Sequence, residues 1–129
     1  MFEESDVIST YSREQAFEDG TLVDVSQSDE AKEAGFRFPV ALTRNAWDTC
    51  VDVPKGLEGL QDVKGRLWDV LYMLKVAIRA DRVQDVDFVK FSVMVQNDKK
   101  GPKRQDLWAW CGPGDKAEPV ITVMFPEDY

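Results

Sequence analysis

Apolar positions repeat at helical spacing in one long stretch of the chain and alternate at strand spacing in several short ones. From Gly65 to Arg82, the residues Leu67, Val70, Leu71, Leu74, Ala77 and Ile78 fall within one arc at about 100° per residue, which predicts an amphipathic helix with a core stripe. The opposite face is expected to hold Arg66, Asp69, Lys75 and Arg79. Mixed among them, Tyr72, Met73 and Val76 add more apolar surface than a solvated face needs, so either the N-terminal segments cover it or it meets a partner.

The last third of the chain reads as strand. In Phe88 to Asn97, Val89, Phe91, Val93 and Val95 point one way while Lys90, Ser92 and Gln96 point the other, implying one buried and one wetter face. In Leu107 to Cys111 and Val120 to Phe125 both faces are apolar, which predicts inner strands covered on both sides, with Trp108 and Trp110 as core. Asn97 to Arg104 and Gly112-Pro113-Gly114-Asp115 are turn-rich connectors, and such short links make the three strands an antiparallel meander.

The first half alternates shorter elements. Ser12 followed by Gln15 has the spacing of a capping box, so a short helix is expected from there to Gly20. Thr21 to Val25 reads as a strand, and a second, acidic helix capped by Ser26 or Ser28 should stop at Gly35. Phe36 to Leu42 alternates as a strand, although Pro39 cannot donate to a ladder, so the strand is an edge or starts there. Thr43 can cap a helix carrying Trp47 and ending near Cys50, and Pro54 to Gly65 is loop. The fold class expected from these elements is α+β, a mainly antiparallel sheet with the long helix on one face and the N-terminal elements around it.

A chain of 129 residues suits one domain, with residues 1–11 as an acidic tail. It is long enough to build a core without staples, and it has no apolar run of membrane-spanning length. The acidic start lacks the pattern of a signal peptide, so a cytoplasmic protein without membrane contact is expected. Cys50 and Cys111, the two cysteines, then read as small buried hydrophobes rather than a bridge. Residues 1–35 hold ten acidic and two basic side chains, a balance of −8 that equals the charge of the whole chain. Such a concentration is either a solvated face or an acidic docking surface, with Glu14, Glu18, Glu30 and Glu33 as the residues that would carry it.

The sequence excludes more chemistry than it suggests. With no histidine, Ser-His-Asp and Cys-His catalysis and histidine metal sites are unavailable. Two cysteines cannot build a structural zinc site, and no phosphate-loop, dinucleotide or EF-hand motif occurs, so no cofactor is expected. Gly112 to Asp115 fits a hairpin turn better than an anion nest. None of the 24 acids has a spacing that marks a catalytic pair, and an enzyme is not expected. The loop around Lys99, Lys100, Lys103 and Arg104 gathers four cations near Trp108 and Trp110. It could grip phosphate, but the acidic remainder of the chain argues against direct nucleic-acid binding.

Four segments carry a resemblance: Glu18 to Val25, Ala34 to Thr43, Gly65 to Leu71, and Cys111 to Asp115 together with Glu118 to Met124. Together they resemble a family of small uncharacterised bacterial proteins carried on plasmids, prophages and other mobile elements. The resemblance implies an accessory protein and transfers no functional residues. The expected role is therefore a non-enzymatic binding protein of a mobile element, an acidic antagonist of a host defence system being its sharpest form. Its partner would be a protein, such as a nucleic-acid-binding complex. The alternatives are a small-molecule enzyme using carboxylates, and a structural or plasmid-maintenance adaptor. The adaptor would dock through Tyr72, Met73 and Val76 or through the basic loop. The oligomeric state is open.

Overall fold

The computed structural model describes residues 12–80 and 88–129. The acidic tail of residues 1–11 and the expected helix end at Arg82 lie outside the described residues. Helix α1 (Arg13–Asp19) begins with the capping box: Gln15 N donates to Ser12 Oγ at 3.0 Å, and Ser12 N donates to Gln15 Oε1 at 2.8 Å. After strand β1 (Leu22–Asp24), helix α2 (Asp29–Ala34) is capped by Ser28, which accepts from Ala31 N. Ser26 does something else. Its hydroxyl accepts from Val40 N at 2.9 Å and donates to Val40 O at 3.2 Å, pinning the start of strand β2 (Val40–Thr43). The alternation of residues 36–42 thus overstates the strand, because Pro39 has no N–H and pairing begins immediately after it.

Thr43 caps helix α3 (Arg44–Cys50), and the long helix α4 runs Val63–Ala80, starting two residues before the expected Gly65. Strands β3 (Phe88–Val95), β4 (Lys103–Pro113) and β5 (Pro119–Met124) follow, closed by a 3-10 turn, Pro126–Asp128. The sheet order is β1-β2-β5-β4-β3, antiparallel at every pairing except β2 with β5, which is parallel. The fold is α+β, and the meander β3–β4–β5 is present.

One face of the sheet carries α2, α3 and α4. Val40 and Leu42, Val70, Leu71 and Leu74, Leu107 and Val123 are fully buried there. Burying each such side chain contributes about 1.5–3 kcal/mol, which is why the stripe of α4 sets the layer. The register Trp110↔Thr122 and Ala41↔Thr122 places these three on the other, outer face. Helix α1 covers part of it: Arg13 Nη1 donates to Thr122 Oγ1 at 2.6 Å and Nη2 to Ile121 O at 3.2 Å.

Three expectations change. All of β5 after Pro119 is buried, but β4 is not covered on both sides, since Trp108 and Trp110 are half-buried on the outer face rather than in the core. Arg66 is not on a solvated face. It lies within the arc of the stripe, four residues before Val70, and is 6 % exposed. On the far side of α4, the N-terminal segments do not cover Tyr72, Met73 and Val76 among the described residues. They remain 48 %, 37 % and 42 % exposed.

Candidate functional site

Strand β3 is an outer strand of the sheet and bonds only to β4 among the described residues. An eight-residue strand in that position presents a row of backbone N–H and C=O groups without a ladder partner among the described residues. Natural edges are often blunted by proline or a bulge, and β3 has neither: its register with β4 is continuous from Phe88 to Val95. Beside this edge runs a groove of about 520 Å³. Asp69, Tyr72 and Met73 of α4 form one wall, Ser92, Val93 and Met94 of β3 the floor, and Arg104 of β4 closes the outer side. Met94 is 57 % exposed, and Tyr72 is steadied by stacking on Trp68 with ring centroids 5.8 Å apart.

The groove has a charged rim. Arg104 Nε donates to Asp106 Oδ1 at 2.7 Å and to Ser92 Oγ at 3.2 Å, and Ser92 Oγ donates to Asp106 Oδ1 at 2.7 Å. These bonds, from Ser92 first and Arg104 second, hold the Asp106 carboxyl below its ordinary range. Burial has the opposite effect on Asp69, raising its pKa. Lys103 pairs with Asp98 at 3.8 Å, while Lys99 and Lys100 stand exposed on the same loop.

The structure thus brings Tyr72, Met73 and Arg104 into one groove, with Val76 one turn further along α4, Lys99 and Lys100 on the β3–β4 loop and Lys103 at the start of β4. The acidic candidates are not gathered. Glu14 and Glu18 ride on α1, on the outer side of the sheet, and Glu30 and Glu33 on α2, which packs against α4 on the other. The two pairs therefore ride on different helices.

The tryptophans beside the basic loop are occupied from within the chain. Phe88 lies edge-on to Trp108 with centroids 5.2 Å apart, Tyr129 follows at 6.4 Å, and Lys90 Nζ sits 5.5 Å from the Trp108 ring. Trp110 lies over Gly112, where an added Cβ would collide with the indole.

Sequence reasoning missed Arg66 altogether. It underlies a cleft of about 710 Å³, and all five of its N–H groups are used. Nε donates to Cys50 O, Nη1 to Gln61 Oε1 and Gln96 O, and Nη2 to Thr49 O and Asn97 Oδ1. Every acceptor is neutral and belongs to the fold, so the side chain is a bolt without a spare donor for a ligand. The sequence signal was its place in the stripe's arc.

The carboxylates nearest the clefts have similar work. Asp62 accepts from Gly65 N at the start of α4, Asp115 from Arg13 N and Glu14 N at the start of α1, and Asp128 from Thr43, Asn45 and Phe125. No Asp or Glu is buried among the described residues, and no three His, Cys, Asp or Glu side chains converge among them. Neither cysteine is in a disulfide, and burial pushes the Cys50 thiol up to about 11, away from reactivity at neutral pH. No helix among the described residues is long and apolar enough to cross a membrane.

The whole chain, residues 1–129, matches the model of a family described as Family of unknown function (DUF6573). No curated protein and no solved structure matches it.

Proposed function

The chain belongs to this family of unknown function, and we propose that it is a non-catalytic binding protein that takes an extended segment of a partner protein as an added strand on β3. The observation that carries this is the coincidence of an eight-residue edge free of proline and bulge with exposed Tyr72 and Met73 in the groove beside it. Backbone groups of the edge supply affinity without sequence preference, and side chains flanking it choose the partner. Apolar residues at alternate positions of the incoming strand would lie against Tyr72 and Met73. Acidic residues would face Lys99, Lys100 and Arg104, so the partner segment is acidic and apolar in alternation.

An accessory role on a mobile element belongs to the same proposal and rests on the sequence resemblance. The split of Glu14 and Glu18 from Glu30 and Glu33 counts against a version in which those four mimic a nucleic-acid backbone. A carboxylate enzyme gains no support from a set of clefts that contain no buried acid among the described residues. An adaptor that docks through Tyr72, Met73 and Val76 would use the same groove.

The test uses peptides selected by display on the intact protein, followed by amide hydrogen exchange with and without the selected peptide. The expected peptides alternate acidic and apolar residues, slow the exchange of alternate β3 amides, and lose at least tenfold in affinity when Tyr72 and Met73 are both changed to lysine. Both positions are exposed, so folding should survive the change. Peptides that bind equally well to the double variant, or that leave β3 exchange unchanged, would remove the proposal.

A further inference from the structure

A second cleft, of about 660 Å³, opens at the other end of the sheet, between the residue 35–38 loop, the last turns of α4 and the β4–β5 hairpin. Its walls are apolar: Phe36, Ile78, Val89 and Ile121 turn hydrocarbon into a concavity that is open to solvent. At its mouth Phe38 is 50 % exposed, an aromatic ring left where water rather than protein meets it. The polar groups around this apolar space are all of one sign. Arg37, Lys75 and Arg79 line it, and no acidic side chain among the described residues does so. In a chain with a net charge of −8, three cations and no carboxylate among the described residues that line one cleft is a local reversal of the whole.

None of the three makes an ion pair among the described residues. Lys75 has partial structural use, since its Nζ stands over Gly35 at the end of α2 and would lie 3.7 Å from a Cβ there. A cation at a helix C-terminus is favourable but weak for a helix of only six residues. Arg37 and Arg79 are exposed and have no such use among the described residues.

We propose that this cleft binds a small amphipathic anion, a carboxylate on a hydrocarbon tail, with the tail between Ile78, Val89 and Ile121 and the head among Arg37, Lys75 and Arg79. The walls offer a strongly hydrated ion such as free phosphate nothing in exchange for its water. A neutral apolar molecule would leave the three cations unused. Only a ligand carrying both characters uses both features of the site. The proposal is independent of the β3 groove, which lies along a different edge and is lined by none of the same residues.

The experiment is a titration of the isotope-labelled protein with decanoate, decanol and decyltrimethylammonium, each below its aggregation limit, read by amide chemical shifts. Decanoate should shift Gly35, Arg37, Ile78, Val89 and Gly112 saturably, and octanoate should bind about tenfold more weakly at roughly threefold per methylene. Decanol should bind at least tenfold more weakly than decanoate, and the cation should leave these amides unmoved. Changing Arg37, Lys75 and Arg79 together to glutamate should lower decanoate affinity at least tenfold while shifts elsewhere stay in place. Equal binding of decanoate and decanol would overturn the proposal, as would shifts centred on the Trp108 cluster or no saturable shift. If the triple variant does not fold, the comparison of the three ligands on the unaltered protein still decides.

Discussion

The outer face of the sheet is closed over β2 and β5 and open over β3 and β4, although neighbouring strands there alternate in much the same way. Over the closed half, Ala41, Thr122 and Met124 are at most 6 % exposed. Polar groups shut it: Arg13 bonds to Thr122 and Ile121, and Asp128 to Thr43 and Asn45. Over the open half, Lys90, Met94, Arg104 and Asp106 are exposed and Phe88 and Trp108 half-buried. The helix-side face is buried at its centre across both halves, at Leu42, Val123, Ala109, Leu107 and Phe91. The asymmetry therefore comes not from the strands but from what the rest of the chain lays over them. The sealed half is finished as structure, while the open half keeps an edge and a groove available.

If the two halves differ in this way, whatever ties them together should be the most sensitive point of the molecule. That tie is Arg66, whose guanidinium joins the end of α3, through Thr49 O and Cys50 O, to the end of β3, through Gln96 O and Asn97. Replacing it by methionine keeps an unbranched apolar stem, shorter by the guanidinium head, and removes five donors. Thr49 O retains the bond from Asn97 Nδ2, but Cys50 O and Gln96 O lose the donors that Arg66 supplied. A loss of at least about 3 kcal/mol in denaturant unfolding is expected, with β3 and β4 amides exchanging first. A loss under about 1 kcal/mol would mean that the halves are held together elsewhere.

The seam between the halves on the outer side is Trp110, which lines the same hollow as Arg13 and Thr43. It can lie flat there because Gly112, two residues on and on the same face, has no Cβ to meet it. Gly112→Ala forces the indole or the strand to move, at a cost of about 1–3 kcal/mol. The indole N–H resonance of Trp110 should shift while that of Trp68, on the far side of the sheet, stays in place. An unchanged Trp110 signal with unchanged stability would show that the seam is soft.

Much of the sealed half was legible because its signals are local. Capping needs only a hydroxyl and the next three residues, so Ser12, Ser28 and Thr43 could be found by inspection. The stripe of α4 is likewise periodicity within one segment. What could not be read were decisions made between distant segments. The parallel pairing of β2 with β5 joins residues some 80 positions apart, Val40 with Ile121. Arg66 finds its partners in three separate stretches, and no spacing announces acceptors that are backbone carbonyls. Trp108 and Trp110 showed a correct alternation, but alternation does not say which face the rest of the chain will cover. The candidate groove was half legible. Tyr72, Met73 and Val76 stood out as surplus apolar surface, yet their meeting with an open β3 edge depends on strand order.

The smallest expected effect tests how the lid of the sealed half is fastened. Asp115, in the β4–β5 turn, accepts from Arg13 N at 2.8 Å and from Glu14 N at 3.0 Å, so the hairpin supplies to α1 the acceptors that its own Ser12 cannot reach. Those two backbone bonds are the main reason its carboxyl titrates below the ordinary 3.8. A carboxyl depressed in the folded state stabilises the fold above its unfolded pKa and stops doing so as pH falls through the lower folded value. Asp115→Ala should therefore lower Tm modestly at pH 7, because the group is exposed. The gap between the two proteins should begin to narrow near pH 4 and close in stronger acid. Since α1 is fastened to the closed half alone, hydrogen exchange at pH 7 should quicken in α1 and around Thr122 and leave β3 as it was. A gap that persists unchanged into strong acid would show that the contact does not depend on the carboxylate. A variant that loosens β3 as much as α1 would show that lid and edge are one cooperative unit, and that the open half is open only in appearance.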